Sequence, residues 1–463
     1  MASLFRAQWR ELNLLDAGAG TGALSAALIQ RICSARHKPK RISVTAYEVD
    51  SSVIEKLRET LDECGRACER VGIPYSATVL NQDFIEAAIP MLRRDLFSSQ
   101  SPVFNAAIAN PPYRKIRSDS NSRLLLRSAG IETSNLYTAF LALITRLLAP
   151  DAELVAITPR SFCNGPYFKP FRVDFIQTMA LQRLHVFNSR SAAFSKDKVL
   201  QENIILHATK TAVKPQDLVV SSSSGEAESE IKERSVAYSD VISPKDLNQF
   251  IHLISDESHV PARSVMNSLS ASLKDLGLSV STGRVVDFRA KSSLRQQPEK
   301  GTAPLIYPCH FNGGFVHWPK EKCRKPNAIV SDEQTKSLLV PTGIYVLVKR
   351  FTSKEERRRV VACIFDPTKI PGPLVGFENH LNYFHLEGRG LAMSLAKGLA
   401  AFLNSSVLDN YFRQFNGHTQ VNATDLRSLN YPTRAQLERI GSKVNVGADQ
   451  QTLDEHVQKE LNG

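Results

Sequence analysis

The first half of the chain predicts an α/β fold on three observations. Short apolar strands alternate with helix-forming stretches, which favours a mostly parallel sheet covered by helices on both faces. A glycine-rich turn joins the first strand to the first helix, as in nucleotide-binding sheets. The chain has 463 residues, which is too many for one ordinary core, so we expect a second domain.

The glycine-rich turn is the first candidate ligand site. Strand 12–15 ends at Asp16, and a good helix former, 23–29, follows the turn. Glycines allow a sharp turn and a close approach of the backbone to a ligand, and the turn contains Gly18, Gly20 and Gly22. The same pattern fits a dinucleotide-binding dehydrogenase. Asp16 is less typical of that class and suits a ligand that carries a cationic amino-acid group.

Polar residues follow the next two strands. Strand 42–47 ends at Glu48, and an acid at that point accepts hydrogen bonds from ribose hydroxyls, with Asp50 as the second candidate. After the third strand, Asp83 could accept from the exocyclic amine of an adenine, and Phe84 could cover the ring. Each acid taken singly could equally be an exposed loop carboxylate. Ligands of open α/β sheets bind outside the carboxyl ends of the strands, where all these residues are expected.

The fourth strand, 106–109, ends in the motif Asn110-Pro111-Pro112-Tyr113. Prolines fix φ and donate no backbone hydrogen bond, so the carbonyls and the side-chain oxygen of Asn110 are free to accept. Two acceptors that converge on one point suit a planar amino group on a flat π system, and Tyr113 offers a face for stacking. The alternative is a simple proline turn at a strand end.

The later elements continue the alternation up to a boundary predicted at residue 245. Helices are predicted over 134–148 and 171–181, and strands over 153–157, 184–187 and 203–206. Serine-rich and acidic sequence from Val219 predicts an edge strand that runs into a linker. The first domain then covers 1–245, and the second, 246–463, mixes short strands with terminal helices.

In their order, these motifs resemble the S-adenosylmethionine-dependent N6-adenine DNA methyltransferases of the gamma class. Segments 281–289 and 416–422 resemble the BsuBI/PstI-type modification enzymes, so the resemblance spans nearly the whole chain. It implies a Rossmann-like class I methyltransferase domain with a mostly parallel seven-stranded sheet, followed by an α+β C-terminal DNA-recognition domain. Family members carry a helix ahead of the glycine loop, whereas this first strand begins about ten residues in. We therefore expect a truncated or misassigned start, with residues 1–6 as the tail of that helix.

The resemblance also implies a reaction. S-adenosyl-L-methionine would be the cofactor, and the methyl acceptor would be an adenine flipped out of duplex DNA, at a CTGCAG-like site. Tyr113 and Phe194 would hold the two faces of the base, while Asn110 and the Pro111 carbonyl would accept the N6 hydrogens. Double-stranded DNA and a cognate restriction endonuclease are the implied partners, and we expect a monomer.

Basic residues interleaved with aromatics make the second domain a candidate DNA surface, although a charge run is usually a solvated helix face. The candidates that we single out are Arg284, Arg289, Lys349, Arg350, Asn416, His418 and Gln420. The last three could read adenine edges. They could equally cap a helix that begins near Asp425.

Composition agrees with this interpretation. A net charge of +12 and a pI of about 9.3 favour a polyanionic partner, although a basic protein without one is also possible. Seven cysteines form no CxxC pair, which predicts reduced thiols, no zinc site and no cytosine carbon-5 nucleophile. The histidines lack a metal-ligand spacing. No signal peptide or apolar membrane-spanning run is visible, and we expect a cytoplasmic location in a bacterium or archaeon.

Two other interpretations remain open. Methyltransferases that act on a protein glutamine or on RNA share the Asn-Pro-Pro-Tyr motif, but a large second domain argues against them. A non-catalytic DNA-binding relative is the third possibility. The intact set of Asp16, Asp83 and Asn110 to Tyr113 argues against it.

Overall fold

The protein forms two compact units. The computed structural model describes residues 1–6, 8–92, 104–187, 202–225, 230–244, 246, 248–254, 259–321, 324–352, 356–416, 419–445 and 447–461. The units comprise residues 1–255 and 256–463, so the division lies about ten residues after the predicted boundary.

Within the described residues, the first unit is built on a sheet of nine strands. They are β1 (Leu12–Ala17), β2 (Ile42–Tyr47), β3 (Tyr75–Leu80), β4 (Phe104–Ala109), β5 (Leu148–Pro159), β6 (Ala180–Phe187), β7 (Asn203–Thr209), β8 (Asp217–Ser223) and β9 (Lys232–Ala237). Their order across the sheet is β3-β2-β1-β4-β5-β7-β6-β8-β9. The first five strands pair in parallel, whereas β7 runs antiparallel to β5 and β6, and β9 runs antiparallel to β8.

Helices cover both faces of this sheet. They are α1 (Ala23–Ser34), α2 (Ile54–Arg70), α3 (Phe84–Leu92), α4 (Asn121–Ser128), α5 (Leu136–Leu147), α6 (Lys169–Thr178) and α7 (Tyr238–Val241). Neighbouring residues of a strand point to opposite faces. Leu14 therefore packs in the core shared with α1 and α2, and Leu15 in the core shared with α3 and α5. The predicted α/β sheet with helices on both faces is confirmed.

The number of strands corrects the sequence prediction. The stretch from Val219, predicted as an edge strand leading into a linker, belongs to β8, which pairs with β6 on one side and β9 on the other. The edge strand β9 begins Lys232-Glu233-Arg234 and is largely exposed. A polar edge strand protects a sheet from further pairing, but its composition looks like that of a linker. The sheet therefore has nine strands where seven were predicted.

The N-terminal segment packs on the sheet. Ala2–Leu4 form a single 3-10 turn where the sequence predicted the tail of a helix. Arg31 of α1 donates from Nη1 to the carbonyl of Phe5 at 2.9 Å, and the backbone N–H of Arg6 donates to the Glu153 carboxylate at 3.3 Å. These contacts anchor the segment to α1 and β5.

Arg172 holds the loop that follows β5. Its fully buried guanidinium donates to the carbonyls of Phe162 at 2.8 Å and Gly165 at 3.1 Å. It also donates from Nη2 to the carbonyl of Asn248 at 2.7 Å, and its central carbon lies 5.1 Å from the Phe250 ring centroid. Buried carbonyls need a donor, so this one side chain fixes several backbone segments at once.

The second unit has an α+β arrangement with two sheets. Its strands are β10 (Ser279–Thr282), β11 (Leu294–Arg295), β12 (Thr302–Ile306), β13 (Phe311–Asn312), β14 (Phe315–Val316), β15 (Ala328–Val330), β16 (Leu339–Pro341), β17 (Tyr345–Lys349), β18 (Ala362–Phe365), β19 (Leu374–Phe377) and β20 (Leu381–His385). The two sheets have the orders β10-β20-β17-β18-β14-β13 and β11-β15-β12-β19-β16.

Helices flank these strands in the sequence. They are α8 (His259–Ser268), α9 (Met393–Leu403), α10 (Ser406–Phe415), α11 (Ala423–Arg427), α12 (Arg434–Lys443) and α13 (Gln450–Leu461). Gly398 and Gly441 let α9 and α12 touch, because a Cβ at either position would lie 1.8 Å from a carbonyl oxygen of the other helix. Within the described ranges, no helix combines the length and apolar character that a membrane span needs.

Replacing Arg172 by methionine keeps a long side chain and removes its donors. We expect the free energy of unfolding to fall by about 2–4 kcal/mol, because several buried carbonyls lose their partner. Urea denaturation followed by circular dichroism measures the change. The matched control is Arg66→Met on the exposed side of α2, which should stay within about 0.5 kcal/mol of the wild type. An equally small effect of Arg172→Met would contradict this role.

Candidate active site

Four strand ends bring the predicted site residues to one edge of the sheet. β3, β2, β1 and β4 are adjacent and parallel, so their carboxyl ends lie together. Asp16 is the second-last residue of β1, Glu48 directly follows β2, and Asn110 directly follows β4. Asp83 lies three residues after the end of β3.

The glycine loop has a conformation that only glycine adopts readily. Gly18, Gly20 and Gly22 have φ values of +77°, +55° and +81°. The N–H groups of Gly18 and Ala19 both donate to the Tyr47 carbonyl at 2.9 Å, which closes the loop onto the end of β2. A Cβ at Gly22 would lie 2.8 Å from Leu57, whereas no described atom lies within 4 Å of a Cβ at Gly20. The loop is therefore packed on the side of α2 and open at Gly20.

Asp16 is a buried carboxylate with one oxygen left over. Its side chain is 1% exposed, and its Oδ2 accepts a hydrogen bond from Ser25 Oγ at 2.5 Å. Its Oδ1 accepts none from any residue that the structure describes. Burial raises the pKa of Asp16 to about 7. A buried acceptor of this kind is stabilised by a cationic donor, which agrees with the predicted contact to a cationic amino-acid group.

Glu48 ties the glycine loop to the end of β2. Its Oε2 accepts from the Gly20 N–H and its Oε1 from the Asp50 N–H, both at 2.8 Å. A carboxylate oxygen has a second lone pair, so Glu48 can hold the loop and still accept from a hydroxyl. The alternative, Asp50, uses Oδ1 to accept from the N–H and hydroxyl of Ser52. The position of Glu48 beside the glycine loop therefore favours Glu48 over Asp50 as the candidate ribose acceptor.

Asp83 and Phe84 have structural roles of their own. Asp83 Oδ1 accepts from the N–H groups of Ile85 at 2.8 Å and Glu86 at 3.2 Å, which caps α3. Phe84 is only 2% exposed. Its ring lies 5.3 Å from that of Tyr47 and 5.0 Å from that of Phe140. Phe84 therefore belongs first to the core, and its contact with an adenine ring stays a prediction.

The Asn-Pro-Pro-Tyr motif forms a shelf after β4. Asn110 and Pro112 are exposed, Pro111 is buried, and Tyr113 is half-buried. The Tyr113 hydroxyl lies 3.0 Å from Asn110 Oδ1 and 3.4 Å from the carbonyl of Ile157 in β5. Burial raises the pKa of Tyr113, so its hydroxyl stays protonated and donates at neutral pH. Tyr113, the residue expected to stack on the base that receives the methyl group, thereby also holds the side-chain oxygen of Asn110 in position.

Aromatic residues that sequence reasoning missed support this shelf. The Tyr137 ring stands edge-on to Tyr113 at 6.3 Å, and its hydroxyl lies 2.8 Å from Ser161 Oγ in the loop after β5. Phe168 packs on the other side of Tyr137 at 5.7 Å. Tyr137 lies inside a predicted helix without any motif, so only the three-dimensional contact identifies it.

The predicted DNA contacts of the second unit differ in exposure. Arg284 and Arg289 are exposed, and Arg284 Nη1 donates to the Ser337 carbonyl at 3.2 Å. Lys349 and Arg350 are half-exposed at the end of β17. These four cations are accessible to a ligand.

Asn416 corrects the sequence prediction. It is 4% exposed, its Oδ1 accepts from Arg359 Nη2 at 2.6 Å, and its Nδ2 donates to the Gln420 carbonyl at 3.1 Å. A buried amide with its edge used in this way presents nothing to a base. It does not cap α11 either, because the N-cap residue is Asn422, whose N–H donates to Asp425. Gln420 is partly exposed, and its contact with a base stays a prediction.

Two predicted site residues, Phe194 and His418, lie outside the described residues. Among the residues that are described, no group of three or more His, Cys, Asp or Glu side chains is placed to hold a metal ion.

Known proteins resemble this chain along its whole length. Residues 45–194 match the model of the Eco57I restriction-modification methylase family. The Type II methyltransferase M.PstI of Providencia stuartii is 45% identical over 462 residues, which cover 100% of this chain and 90% of that protein. The Type II methyltransferase M.BsuBI of Bacillus subtilis is 42% identical over 447 residues, or 96% and 87% of the two chains.

The chain belongs to this family of Type II methyltransferases. It is a methyltransferase of a restriction-modification system that acts on DNA with S-adenosyl-L-methionine as its cofactor. Among solved structures, the type IIG restriction endonuclease BpuSI aligns with a TM-score of 0.44 and 12% identity over 98% of this chain and 63% of that one. The two Type II methyltransferases and the family model confirm the predicted resemblance to the BsuBI/PstI-type modification enzymes.

The residues at the strand ends fit this cofactor. Asp16 Oδ1 offers a buried acceptor without a donor, which suits the ammonium of the methionine part. Glu48 offers acceptor capacity for ribose hydroxyls, and the loop is open to a ligand at Gly20. Asp16, Glu48 and the open loop at Gly20 are therefore compatible with this cofactor, while the roles of Asp83 and Phe84 toward its adenine stay predictions.

Asp16 should make cofactor binding depend on pH. Its pKa of about 7 in the free protein falls when a cation binds beside it, so binding releases a proton. We expect the affinity for S-adenosyl-L-methionine to rise as the pH increases from about 5.5 to 7 and to level off above the free pKa. Asp16→Asn should bind more weakly and lose the rise, as measured by isothermal titration calorimetry.

Asp50→Asn is the matched control, because Asp50 is a carboxylate at the same edge of the sheet that lies outside the proposed ammonium contact. It should keep the wild-type pH profile. A rise of equal size in Asp16→Asn would contradict the assignment of Asp16.

Proposed function

We propose that this protein methylates the N6 amino group of adenine at a specific site in duplex DNA. The observation that carries the proposal is the Asn110 to Tyr113 shelf, which directly follows β4 beside the glycine loop of β1. Membership of the Type II methyltransferase family indicates that the protein transfers a methyl group to DNA. The Asn110 to Tyr113 shelf is the reason why we propose an amino group as the methyl acceptor.

The shelf offers acceptors for both hydrogens of an NH2 group. Asn110 Oδ1 and the Pro111 carbonyl would each accept one N6 hydrogen. Two such hydrogen bonds favour a tetrahedral nitrogen and withdraw its lone pair from the ring, which makes N6 a nucleophile. When bound, S-adenosyl-L-methionine supplies a methyl group made electrophilic by the sulfonium. The methyl–sulfur bond would break as N6 bonds to that methyl, the sulfonium would become a neutral thioether, and N6 would release one proton to solvent. The residues of the protein would contribute orientation and electrostatic placement.

Tyr113 has two tasks in this mechanism. Its ring would pack on one face of the base, while its hydroxyl, 3.0 Å from Asn110 Oδ1, keeps the acceptor aimed. The second lone pair of that oxygen remains for the substrate. Support from Tyr137 fixes the Tyr113 ring from the side of the core.

The base has to leave the duplex to reach this shelf, because in the duplex one N6 hydrogen is bonded to the partner base and neighbouring bases cover both faces of the ring. Phe194 is the residue proposed for the second face of the flipped base. The target site is proposed to be a CTGCAG-like palindrome. A cognate restriction endonuclease, a monomeric state and a cytoplasmic location complete the proposal.

The competing acceptors are a protein glutamine and RNA. Both carry an amino group that would suit the same shelf. A second unit of about 200 residues with exposed arginines favours a large polyanionic acceptor of defined sequence over a single side chain.

Replacing Asn110 by alanine removes one acceptor and leaves the cofactor contacts in place. We expect turnover on duplex DNA to fall by about 100- to 1000-fold, the effect of losing one preorganised electrostatic contact. Cofactor affinity should stay within about twofold of the wild type, which separates catalysis from binding. Single-turnover methyl transfer from labelled S-adenosyl-L-methionine gives the first quantity, and calorimetry gives the second.

The control is Asn121→Ala in α4, an exposed asparagine that bonds to Glu86 away from the shelf. It should retain full turnover. Near-wild-type turnover of Asn110→Ala would exclude the proposed mechanism.

A further inference from the structure

Two exposed phenylalanines lie on the surface of the second unit. Phe288 is 76% exposed and Phe351 is 41% exposed. In the described part of this unit they are the two large apolar side chains that are exposed. Single exposed apolar residues are common and need no explanation. This pair differs in two respects: a cationic side chain lies beside each ring, and hydrogen bonds connect the two loops that carry the rings.

Each ring lies beside a cation. The Arg289 guanidinium carbon is 5.5 Å from the Phe288 ring centroid, and that of Arg350 is 5.6 Å from the Phe351 centroid. His380 packs on Phe351 with 4.8 Å between the rings. The two phenylalanines therefore lie within a cationic surface that fits a polyanion.

Backbone hydrogen bonds join the two loops into one face. The N–H of Asn379 donates to the Val285 carbonyl at 2.9 Å, and the N–H of Arg350 donates to the His380 carbonyl at 2.8 Å. Arg350 Nη1 also donates to the Asn379 carbonyl at 3.2 Å. Segment 285–289 and segment 350–351 are thus both bonded to segment 378–380.

Polar contacts within the unit pair the acids of this face. Asp287, next to Phe288, accepts from the Tyr307 hydroxyl at 2.8 Å and from Lys325 Nζ at 2.7 Å. Glu378 is buried and accepts from the N–H of His380 at 2.9 Å and from its ring Nδ1 at 2.5 Å. The acids near the phenylalanines are therefore paired within the unit, and the outward charge of the face stays positive.

We propose that Phe288 and Phe351 contact bases of the distorted duplex. Removing one nucleotide from a base stack leaves neighbouring bases with an uncovered face, and aromatic side chains pack on such faces in a largely sequence-tolerant way. The adjacent Arg289 and Arg350 bind phosphates. A rigid ring suits this task because it loses little conformational entropy when it binds. This role assumes that duplex DNA is the substrate and so rests on the proposed function.

The test compares DNA binding by Phe288→Ala, Phe351→Ala and the double variant with binding by Arg289→Ala. The probe is a fluorescent duplex containing a site that the wild type has been shown, by sequencing, to methylate. Anisotropy is measured over a range of salt concentrations. The control is Val213→Ala, which removes an equally exposed apolar side chain from the first unit.

Stacking and charge should give different signatures. Each phenylalanine variant should lose about 5- to 100-fold in affinity for the site while the dependence of affinity on salt stays unchanged. Arg289→Ala should reduce the slope of that dependence by about one ion. Phe288→Ala is the variant least expected to destabilise the fold, because a side chain that is 76% exposed contributes little to folding. Cofactor binding should be unchanged in every variant.

Two results would overturn this role. One is a double variant that binds and methylates the site duplex within about twofold of the wild type. The other is a wild type that self-associates in sedimentation while the double variant does not, with equal DNA affinity, which would make the face a contact between copies. A wild type that methylates no duplex DNA would instead refute the proposed function, and the role of the two phenylalanines would be refuted with it.

Discussion

The closure of the glycine loop onto the end of β2 is the contact on which the site depends. Gly18 and Ala19 donate to the Tyr47 carbonyl, and Gly20 donates to Glu48, so these hydrogen bonds position both the loop and the carboxylate that we propose as the ribose acceptor. Positive φ values at three glycines make this closure possible. Since β1 pairs with β4 on its other side, the glycine loop after β1 and the Asn110 shelf after β4 lie at the ends of neighbouring strands.

The site keeps polar groups unsatisfied only where a ligand can use them. Most of its polar atoms already have partners: Asp83 caps α3, Glu48 holds the loop, and Tyr113 aims Asn110. Asp16 differs, because one oxygen of a buried carboxylate has no donor among the described residues. A buried acceptor without a donor raises the free energy of the protein, and we propose that the ammonium of the cofactor removes this penalty when it binds.

Sequence reasoning succeeded where short-range chemistry decides the structure. Glycine spacing and the two prolines determine the backbone locally, so the loop, the shelf and the strands before them followed from the sequence. It failed where tertiary contacts decide. The polar edge strand β9 has the composition of a linker, and Asn416 is buried because Arg359 comes from a distant part of the chain. Phe84 follows Asp83, the acid predicted to bind adenine, yet the Phe84 ring packs in the core against Tyr47 and Phe140.

The identity of the methylated nucleoside tests the central claim most directly. The protein is incubated with labelled S-adenosyl-L-methionine and unmethylated duplex DNA, and the DNA is digested to nucleosides and separated by chromatography. A planar amino group held by Asn110 and Pro111 predicts that the label appears in N6-methyladenine. Label in another nucleoside, or transfer to RNA or protein with none to DNA, would contradict the account.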